Sequence, residues 1–393
     1  MKMYYYDHCA SAPIHETVLR TVTELMELHY ANASSLHRSG AEAMKLVERA
    51  RAGVAAVMGA KPGEVIFTSG GTEGNNLAIK GTVAKSSKSR KHVISSAIEH
   101  ASVYQCLRQL EEQGIIEVSW LPVDCYGRVS VQDVEAAISP DTILVSVMHV
   151  NNETGTVQPI REIGALLAGY PQIRFHVDGV QAIGKTALNW NGWGIDLYTG
   201  SAHKFRGPKG VGFLLVREGI ALSPLLAGGS QEQGVRGGTY NVPAIVGMAQ
   251  ALRLASESME RRRETMYGLR SRLLGLVRNI PELVVNGFGA EAHQETQDEA
   301  APHIVNVSYP GMRPEVLVHM LEKQGILIST QSACSSKSLK PSRVLLAMGH
   351  KAERASGSIR VSFGDEHTEA DIDVLGERLA MTVRKLKPLE GSR

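Results

Sequence analysis

In the first two thirds of the chain, segments with apolar residues at helical spacing alternate with short, strongly apolar runs. The segment 13–30 places its apolar side chains on one helical face. The runs 65–68, 142–150 and 173–177 are rich in β-branched residues, which is typical of buried strands. Strands that alternate with helices of this length predict an α/β fold with a mostly parallel sheet covered on both faces.

The pattern changes after Pro243. A continuous amphipathic helix is expected over 244–279, with no strand inside it. Short strands and helices are mixed beyond it. This arrangement predicts a smaller α+β domain that begins near residue 260.

Composition excludes several classes of protein. The 393 residues carry 42 Lys+Arg against 40 Asp+Glu, a net charge of +2, so a general nucleic-acid binder is not expected. No apolar run approaches the ~18 residues of a membrane span, and the N-terminus lacks the apolar core of a signal peptide. Four cysteines stand far apart, without a C-x-x-C pair: Cys9, Cys106, Cys125 and Cys334. We expect a reduced, cytoplasmic protein without a metal site.

One segment matches the phosphate-binding loop of nucleotide hydrolases. Residues 179–186 fit the pattern G-x-x-x-x-G-K-T after a predicted strand. That loop requires a helix to begin at Lys185-Thr186, but Gly192 and Gly194 follow closely and helix propensity is low. A chance match is the preferred interpretation, and a P-loop NTPase is kept as a remote alternative.

A second glycine-rich segment is a better anion site. Residues 69–76 follow a strand and open a predicted helix, where free backbone amides and the helix dipole suit a phosphate group. Thr72 adds a hydroxyl. Taken alone, the segment is equally typical of a tight turn.

Two further residues complete a recognisable set. Asp178 ends a predicted strand, where ligands gather in open α/β sheets, although a turn or N-cap role is the simpler interpretation of Asp178 alone. Lys204 stands next to His203, before a Gly-Pro turn, and could be a Schiff-base lysine or a surface residue. A phosphate cradle, a carboxylate and a lysine are together what pyridoxal 5'-phosphate (PLP) requires.

Short motifs extend this set along the chain. They occupy 6–7, 10–13, 68–76, 99–100, 149–153, 176–181, 201–204, 233–239 and 332–336. With these motifs the chain resembles the class V aminotransferase-like PLP enzymes of fold type I, and specifically the cysteine desulfurases of the NifS/IscS type. The resemblance implies a large PLP-binding domain over 14–258 and a small domain formed by 1–13 and 259–393. The small domain would carry the catalytic cysteine.

The resemblance also implies roles for individual residues. Lys204 would bind the cofactor aldehyde and move the Cα proton, His100 would stack on the ring and transfer protons, and Cys334 would be the nucleophile. Asp178 would pair with the pyridine nitrogen, and Gln181 would contact the ring hydroxyl. The other residues implied to hold the cofactor are Gly71, Thr72, Asn152, Ser201, His203 and Thr239. Asn152 and Arg360 would bind the substrate carboxylate.

The implied reaction removes sulfur from L-cysteine, giving L-alanine and a persulfide on Cys334. Small polar neighbours predict an exposed loop around Cys334, and Lys337 favours the thiolate. Because Thr239 would reach the neighbouring subunit's phosphate, a homodimer is implied. The sulfur would pass to an acceptor protein, such as an iron–sulfur scaffold, a tRNA-thiolation enzyme or a thiamin-pathway protein.

Related activities share these motifs. A selenocysteine lyase or another class V enzyme would have the same PLP residues, and Cys334 is the discriminating feature. A protein that has lost activity is disfavoured by the intact Lys204, Asp178 and His100. The N-terminal motif departs from the family pattern at His8 and Cys9.

Overall fold

The computed structural model describes residues 2–289, 299–331 and 340–387. The strands are β1 (Tyr4–Tyr5), β2 (Val65–Thr68), β3 (His92–Ser96), β4 (Glu117–Leu121), β5 (Thr142–Met148), β6 (Arg174–Asp178), β7 (Leu197–Ser201), β8 (Gly212–Val216), β9 (Val284–Asn286), β10 (Ile304–Ser308), β11 (Ile326–Leu327) and β12 (Ser358–Ser362). The helices are α1 (Glu16–Leu28), α2 (Arg38–Met58), α3 (Gly71–Lys85), α4 (Ala101–Glu112), α5 (Val131–Ala137), α6 (Ile160–Leu167), α7 (Val242–Glu257), α8 (Met259–Arg278), α9 (Pro314–Glu322), α10 (Arg343–Ala347), α11 (Ala352–Ser356) and α12 (Glu369–Leu386).

A seven-stranded sheet forms the centre of the molecule, in the order β2-β8-β7-β6-β5-β3-β4. The strands from β7 to β4 are parallel, and only β8 runs antiparallel to its neighbours β7 and β2. The expected α/β fold with a mostly parallel sheet is therefore confirmed. The strands β7 and β8 were not predicted. The sequence of β7 (Leu-Tyr-Thr-Gly-Ser) lacks an apolar run, whereas β8 (Gly-Phe-Leu-Leu-Val) has one that was missed.

A second core lies in the C-terminal part of the chain. Here β12, β10 and β9 form an antiparallel sheet, and β1 pairs with β11. The N-terminal residue Tyr6 is fully buried in this core, beside apolar residues of α8, α9 and α12. The N-terminal segment thus packs with the C-terminal elements. The domain limits given above stay a prediction.

The prediction of one continuous helix over 244–279 is wrong. The segment forms two helices, α7 and α8, which meet at Ser258. The Ser258 hydroxyl donates to the Leu254 carbonyl at 3.1 Å and so competes with the helical pattern of backbone hydrogen bonds. Apolar residues of α7 pack into the core of the seven-stranded sheet, whereas those of α8 pack into the C-terminal core. Apolar periodicity alone does not distinguish one helix from two that face different cores.

Membrane insertion was not expected from the sequence. Across the described residues, no helix has both the length and the apolar character that crossing a bilayer requires.

Candidate active site

A cavity opens at the carboxyl ends of the parallel strands. Asp178 ends β6 and Ser201 ends β7, while His100 and Asn152 lie four residues beyond β3 and β5. These strands are neighbours in the sheet, so their ends meet at one edge. Predicted site residues that line the cavity are Gly71, Thr72, His100, Asn152, Asp178, Gln181, Ser201, His203, Lys204 and Arg360.

Two predicted residues are not among this group. Thr239 is exposed in the loop before α7 and does not line the cavity. Cys334 lies outside the described residues, as do its neighbours in 332–339. Their implied roles stay predictions.

The Asp178 carboxylate is buried and held at both oxygens. The side-chain amide of Asn75 donates to Oδ2 at 2.8 Å, and the backbone amide of Val180 donates to Oδ1 at 3.0 Å. Such bonds fix the orientation of the carboxylate. Asp178 can therefore present an oriented carboxylate to a positively charged ring nitrogen.

A chain of hydrogen bonds connects Asp178 to His100. The Asn75 amide also donates to the Ser102 hydroxyl at 2.9 Å, and this hydroxyl lies 2.8 Å from His100 Nδ1. The backbone amide of Ser102 donates to the same Nδ1 at 3.2 Å, which makes Nδ1 an acceptor. Burial lowers the pKa of His100, and the positive charge of Lys204 lowers it further, against the opposing effect of Asp178. His100 is therefore neutral, and its Nδ1 is unprotonated.

Lys204 stands in a short 3-10 helix, Ala202–Lys204, directly after β7. Its amine donates to the carbonyl of Ala10 at 2.8 Å and to that of Cys9. The side-chain amide of Gln181 donates to the same Cys9 carbonyl at 3.1 Å, while its own Oε1 is buried without a partner among the described residues. The N-terminal segment therefore forms one wall of the cavity, and Gln181 has an acceptor left for a ligand.

The end of the cavity at the start of α3 suits an anion. Helix α3 begins at Gly71 with Gly70 as its N-cap, which offers no side chain to the first amides. A Cβ added at Gly71 would lie 2.8 Å from Val180 Cγ2, so only glycine allows this close approach. Burial and the nearby lysines lower the pKa of His203 to about 4, which keeps its ring neutral. Free helix amides with adjacent hydroxyl groups suit a phosphate.

Arg360 approaches the cavity from β12 and is 1% exposed. Its guanidinium donates to the backbone carbonyl of Asn152 at 2.8 Å and to the Asp7 carboxylate at 3.0 Å. Its Nε is buried and has no hydrogen-bond partner in the part of the chain that the structure describes. The fixed guanidinium can attract a carboxylate that enters the cavity.

The residues that follow 332–339 are fixed to the loops after β3 and β5. Ser342 donates to the buried Glu153 carboxylate at 2.6 Å. The Arg343 guanidinium donates to the carbonyls of Ala97 and Glu99 and lies 3.9 Å from the ring centre of Tyr104. These contacts bring α10 next to His100, close to the cavity.

The phosphate-loop interpretation of 179–186 is wrong. No helix begins at Lys185; the segment turns after β6. The amides of Lys185 and Thr186 both donate to the Ala182 carbonyl at 3.0 Å, so neither is available to a phosphate.

Some residues of the site were missed in the sequence. Asn75 and Ser102 had no assigned role, and Met148, Val150 and Val180 supply apolar walls. A signal for Asn75 was present, because it lies three residues after Thr72 and therefore shares a helix face with it. Asn75 and Asp178 are far apart in sequence, so their contact could not be foreseen.

The three described cysteines differ in exposure. Cys9 and Cys106 are buried, and Cys125 is exposed. Burial raises the pKa of Cys106 to about 11, which makes its thiol a poor nucleophile. Cys9 packs among apolar side chains at the cavity wall, such as Val150 and Ile304.

One group of possible metal ligands lies outside the cavity. Side-chain atoms of His8, Glu366 and His367 fall within 4.8 Å of one another. His8 Nε2 already contacts Glu366 at 2.5 Å, and Arg206 lies 3.8 Å from the same carboxylate. This geometry is that of a partly buried ion pair.

Comparison with known proteins adds an independent observation. The family model described as Aminotransferase class-V matches residues 4–375. The chain belongs to the class V aminotransferase family. The resemblance inferred from the motifs is thereby confirmed.

Members of this family with similar sequences carry related names. The chain is 40% identical over 387 residues to "Putative cysteine desulfurase IscS 1" of Bacillus subtilis (strain 168), covering 98% of this chain and 100% of that one. It is 42% identical to "Cysteine desulfurase IscS" of Methanosarcina thermophila over 386 residues, covering 98% and 93%.

Solved structures of family members share the fold. A structure titled "NIFS-LIKE PROTEIN" superimposes with a TM-score of 0.90 at 34% identity, covering 98% of this chain and 100% of that one. Another, "SspA in complex with cysteine", gives 0.78 at 34% identity, covering 93% and 99%.

Proposed function

We propose that this class V family member is a PLP-dependent cysteine desulfurase. It would convert L-cysteine to L-alanine and retain the sulfur as a persulfide on Cys334. The observation that carries the proposal is the meeting of Lys204, Asp178 and the uncapped start of α3 in one cavity. Relatives named cysteine desulfurase, about 40% identical over nearly the whole chain, support it.

The cavity fits PLP at each end. The free amides of α3, with Thr72 and Ser201, suit the phosphate, and the fixed Asp178 carboxylate suits the ring nitrogen. The unpartnered Oε1 of Gln181 matches the ring hydroxyl, which can donate to it. When bound, PLP supplies an electron sink that makes the Cα proton of an amino acid acidic.

The chain's own residues would then bind and orient the substrate. Arg360 attracts the carboxylate of L-cysteine with a guanidinium fixed by Asp7. Lys204, released from the Cys9 and Ala10 carbonyls, holds the cofactor and moves the proton at Cα. Neutral His100 offers a base next to the substrate thiol.

Sulfur transfer would use the Cys334 thiolate. Its sulfur attacks the sulfur of the substrate, an S–S bond forms, and the bond between Cβ and sulfur breaks. The electron pair left on carbon takes a proton, giving alanine. Release of the persulfide sulfur needs a thiol reductant or an acceptor protein.

The proposal includes a homodimer and a sulfur acceptor. Exposed apolar side chains cluster on α1 and the loop after it, including Met26, Tyr30 and Leu36, which supports a subunit interface there. The sulfur would pass to an acceptor protein: an iron–sulfur scaffold, a tRNA-thiolation enzyme or a thiamin-pathway protein. The cytoplasmic location stays a prediction.

The deciding experiment replaces Cys334. The wild-type protein, incubated with L-cysteine alone, should gain one sulfur atom by intact mass and form alanine. With a thiol reductant, it should release sulfide. Cys334→Ala should keep the visible absorbance of the bound cofactor and lose sulfide release.

The matched control is Cys125→Ala, which removes an exposed cysteine and should leave sulfide release unchanged. If Cys334→Ala turns over L-cysteine normally, the proposed nucleophile is wrong. Formation of a keto acid in place of alanine would indicate an aminotransferase. A strong preference for L-selenocysteine would indicate a selenocysteine lyase.

A further inference from the structure

Lys185, in the segment that resembles a phosphate loop, lies behind the reactive lysine. Its side chain is buried, with 8% of the residue exposed. Its ammonium donates to the backbone carbonyl of Lys204 at 3.0 Å, and this is its one side-chain hydrogen bond within the described residues. An ammonium has three hydrogens to donate, so Lys185 is poorly satisfied for a buried charge.

Two of the groups that face Lys185 are cations: Lys204, and Arg262 on α8. Cys9, a thiol on the N-terminal segment, acts in the opposite direction on the pKa of Lys185, but burial and the two cations outweigh it. His303, just before β10, also faces Lys185; it is fully buried, and neither of its ring nitrogens has a partner within residues 2–289, 299–331 and 340–387. Burial lowers the pKa of Lys185 to about 8. Keeping an unpaired ammonium here costs stability, which points to a role at the site.

We propose that Lys185 is a positioning residue for Lys204, an inference that rests on the proposed PLP chemistry. Its ammonium fixes the backbone carbonyl of Lys204 and places a second positive charge behind the reactive amine. Lys204 is then held at both ends, because its own amine contacts the Ala10 carbonyl at 2.8 Å.

This arrangement has two consequences for Lys204. A neighbouring cation disfavours the protonated amine, so more of it is available as a nucleophile near neutral pH. The fixed carbonyl limits the backbone rotation of the short 3-10 helix and directs the side chain into the cavity. Substitutions of Lys185 can separate the effect of its charge from its effect on the orientation of Lys204.

The test compares variants of the full-length protein. Lys185→Met removes the charge and the donor at similar length, Lys185→Gln keeps a donor without charge, and Lys185→Arg keeps both. Lys209→Met is the matched control, because Lys209 is an exposed lysine of the same region. Each holoenzyme is titrated with pH, and the midpoint of its visible absorbance change is recorded. The rate at which PLP recombines with each apoprotein is measured as well.

Lys185→Met should raise the midpoint by about one pH unit and slow recombination at neutral pH. Lys185→Gln should show the same upward shift, and Lys185→Arg and Lys209→Met should match the wild type. Circular dichroism identifies folded variants. If Lys185→Met does not fold, Lys185→Gln is compared with the wild type in its place. If neither uncharged variant folds but Lys185→Arg does, Lys185 has a structural role and the inference is wrong.

Folded, uncharged variants with the wild-type midpoint and recombination rate would also overturn the inference. That result would leave the proposed function intact, since the cofactor band is still present. A wild-type protein that develops no visible band with PLP contradicts the proposed function itself, before any variant is compared.

Discussion

At the scale of single residues, Asn75 connects the Asp178 carboxylate to His100 through the Ser102 hydroxyl. Its amide donates to the Asp178 carboxylate at 2.8 Å and to the Ser102 hydroxyl at 2.9 Å. Ser102 in turn contacts His100. The positions of the Asp178 carboxylate and of the His100 ring therefore depend on one buried side chain.

Asn75→Ala should weaken both stability and cofactor binding. The buried Asp178 carboxylate loses a donor, which should reduce the free energy of unfolding by about 1–3 kcal/mol. Urea denaturation of the apoprotein and PLP titration measure the two effects. Asn76→Ala is the control, because Asn76 lies on the same helix and its amide contacts only backbone carbonyls. Equal losses in the two variants would contradict a special role for Asn75.

At the scale of elements, the N-terminal segment between β1 and α1 connects the C-terminal sheet to the cavity. On one side, the backbone amide of Cys9 donates to the Ser362 hydroxyl of β12 at 2.9 Å, and His8 contacts Glu366 just after that strand. On the other side, the Cys9 and Ala10 carbonyls accept from Lys204. A shift of this segment would change the surroundings of the Lys204 amine.

The contact between His8 and Glu366 predicts a pH-dependent contribution to stability. Burial alone would raise the pKa of Glu366, but the hydrogen bond and charge of His8 outweigh it and lower this pKa from 4.5 to about 2. Because the folded pKa is depressed, the stabilisation is present above pH 4.5 and is lost as the pH falls toward 2. Glu366→Gln should therefore be less stable than the wild type at pH 6, with the difference disappearing near pH 2.

Thermal unfolding between pH 2 and 6 measures this difference. Glu264→Gln, at an exposed position of α8, is the control and should follow the wild type at every pH. A difference between Glu366→Gln and the wild type that stays constant down to pH 2 would exclude the ion pair as its cause.

At the scale of the whole molecule, the sequence predicted the sheet and most of the cavity. It did not predict features that depend on contacts between elements far apart in the chain. Strand-end residues such as Asp178 were recognisable because the carboxyl ends of parallel strands share one edge. The break between α7 and α8 at Ser258 was not recognisable from the sequence, because it depends on which core each helix faces. The segment 179–186 shows the same limit: low helix propensity favoured a chance match to the phosphate-loop pattern, but only the tertiary structure reveals that Lys185 contacts Lys204.

The predicted homodimer can be tested at its exposed apolar surface. Tyr30 is 88% exposed and Leu36 is fully exposed, and both lie in the segment that follows the exposed Met26 of α1, which makes this segment the candidate subunit interface. Leu36→Asp should shift the protein toward the monomer in size-exclusion chromatography with light scattering. Because Thr239 is predicted to reach the phosphate of the neighbouring subunit, PLP affinity should fall together with dimer content. Met381→Asp, at an exposed apolar position on α12, should remain dimeric. A wild-type monomer that binds PLP fully would show that the site is complete within one chain.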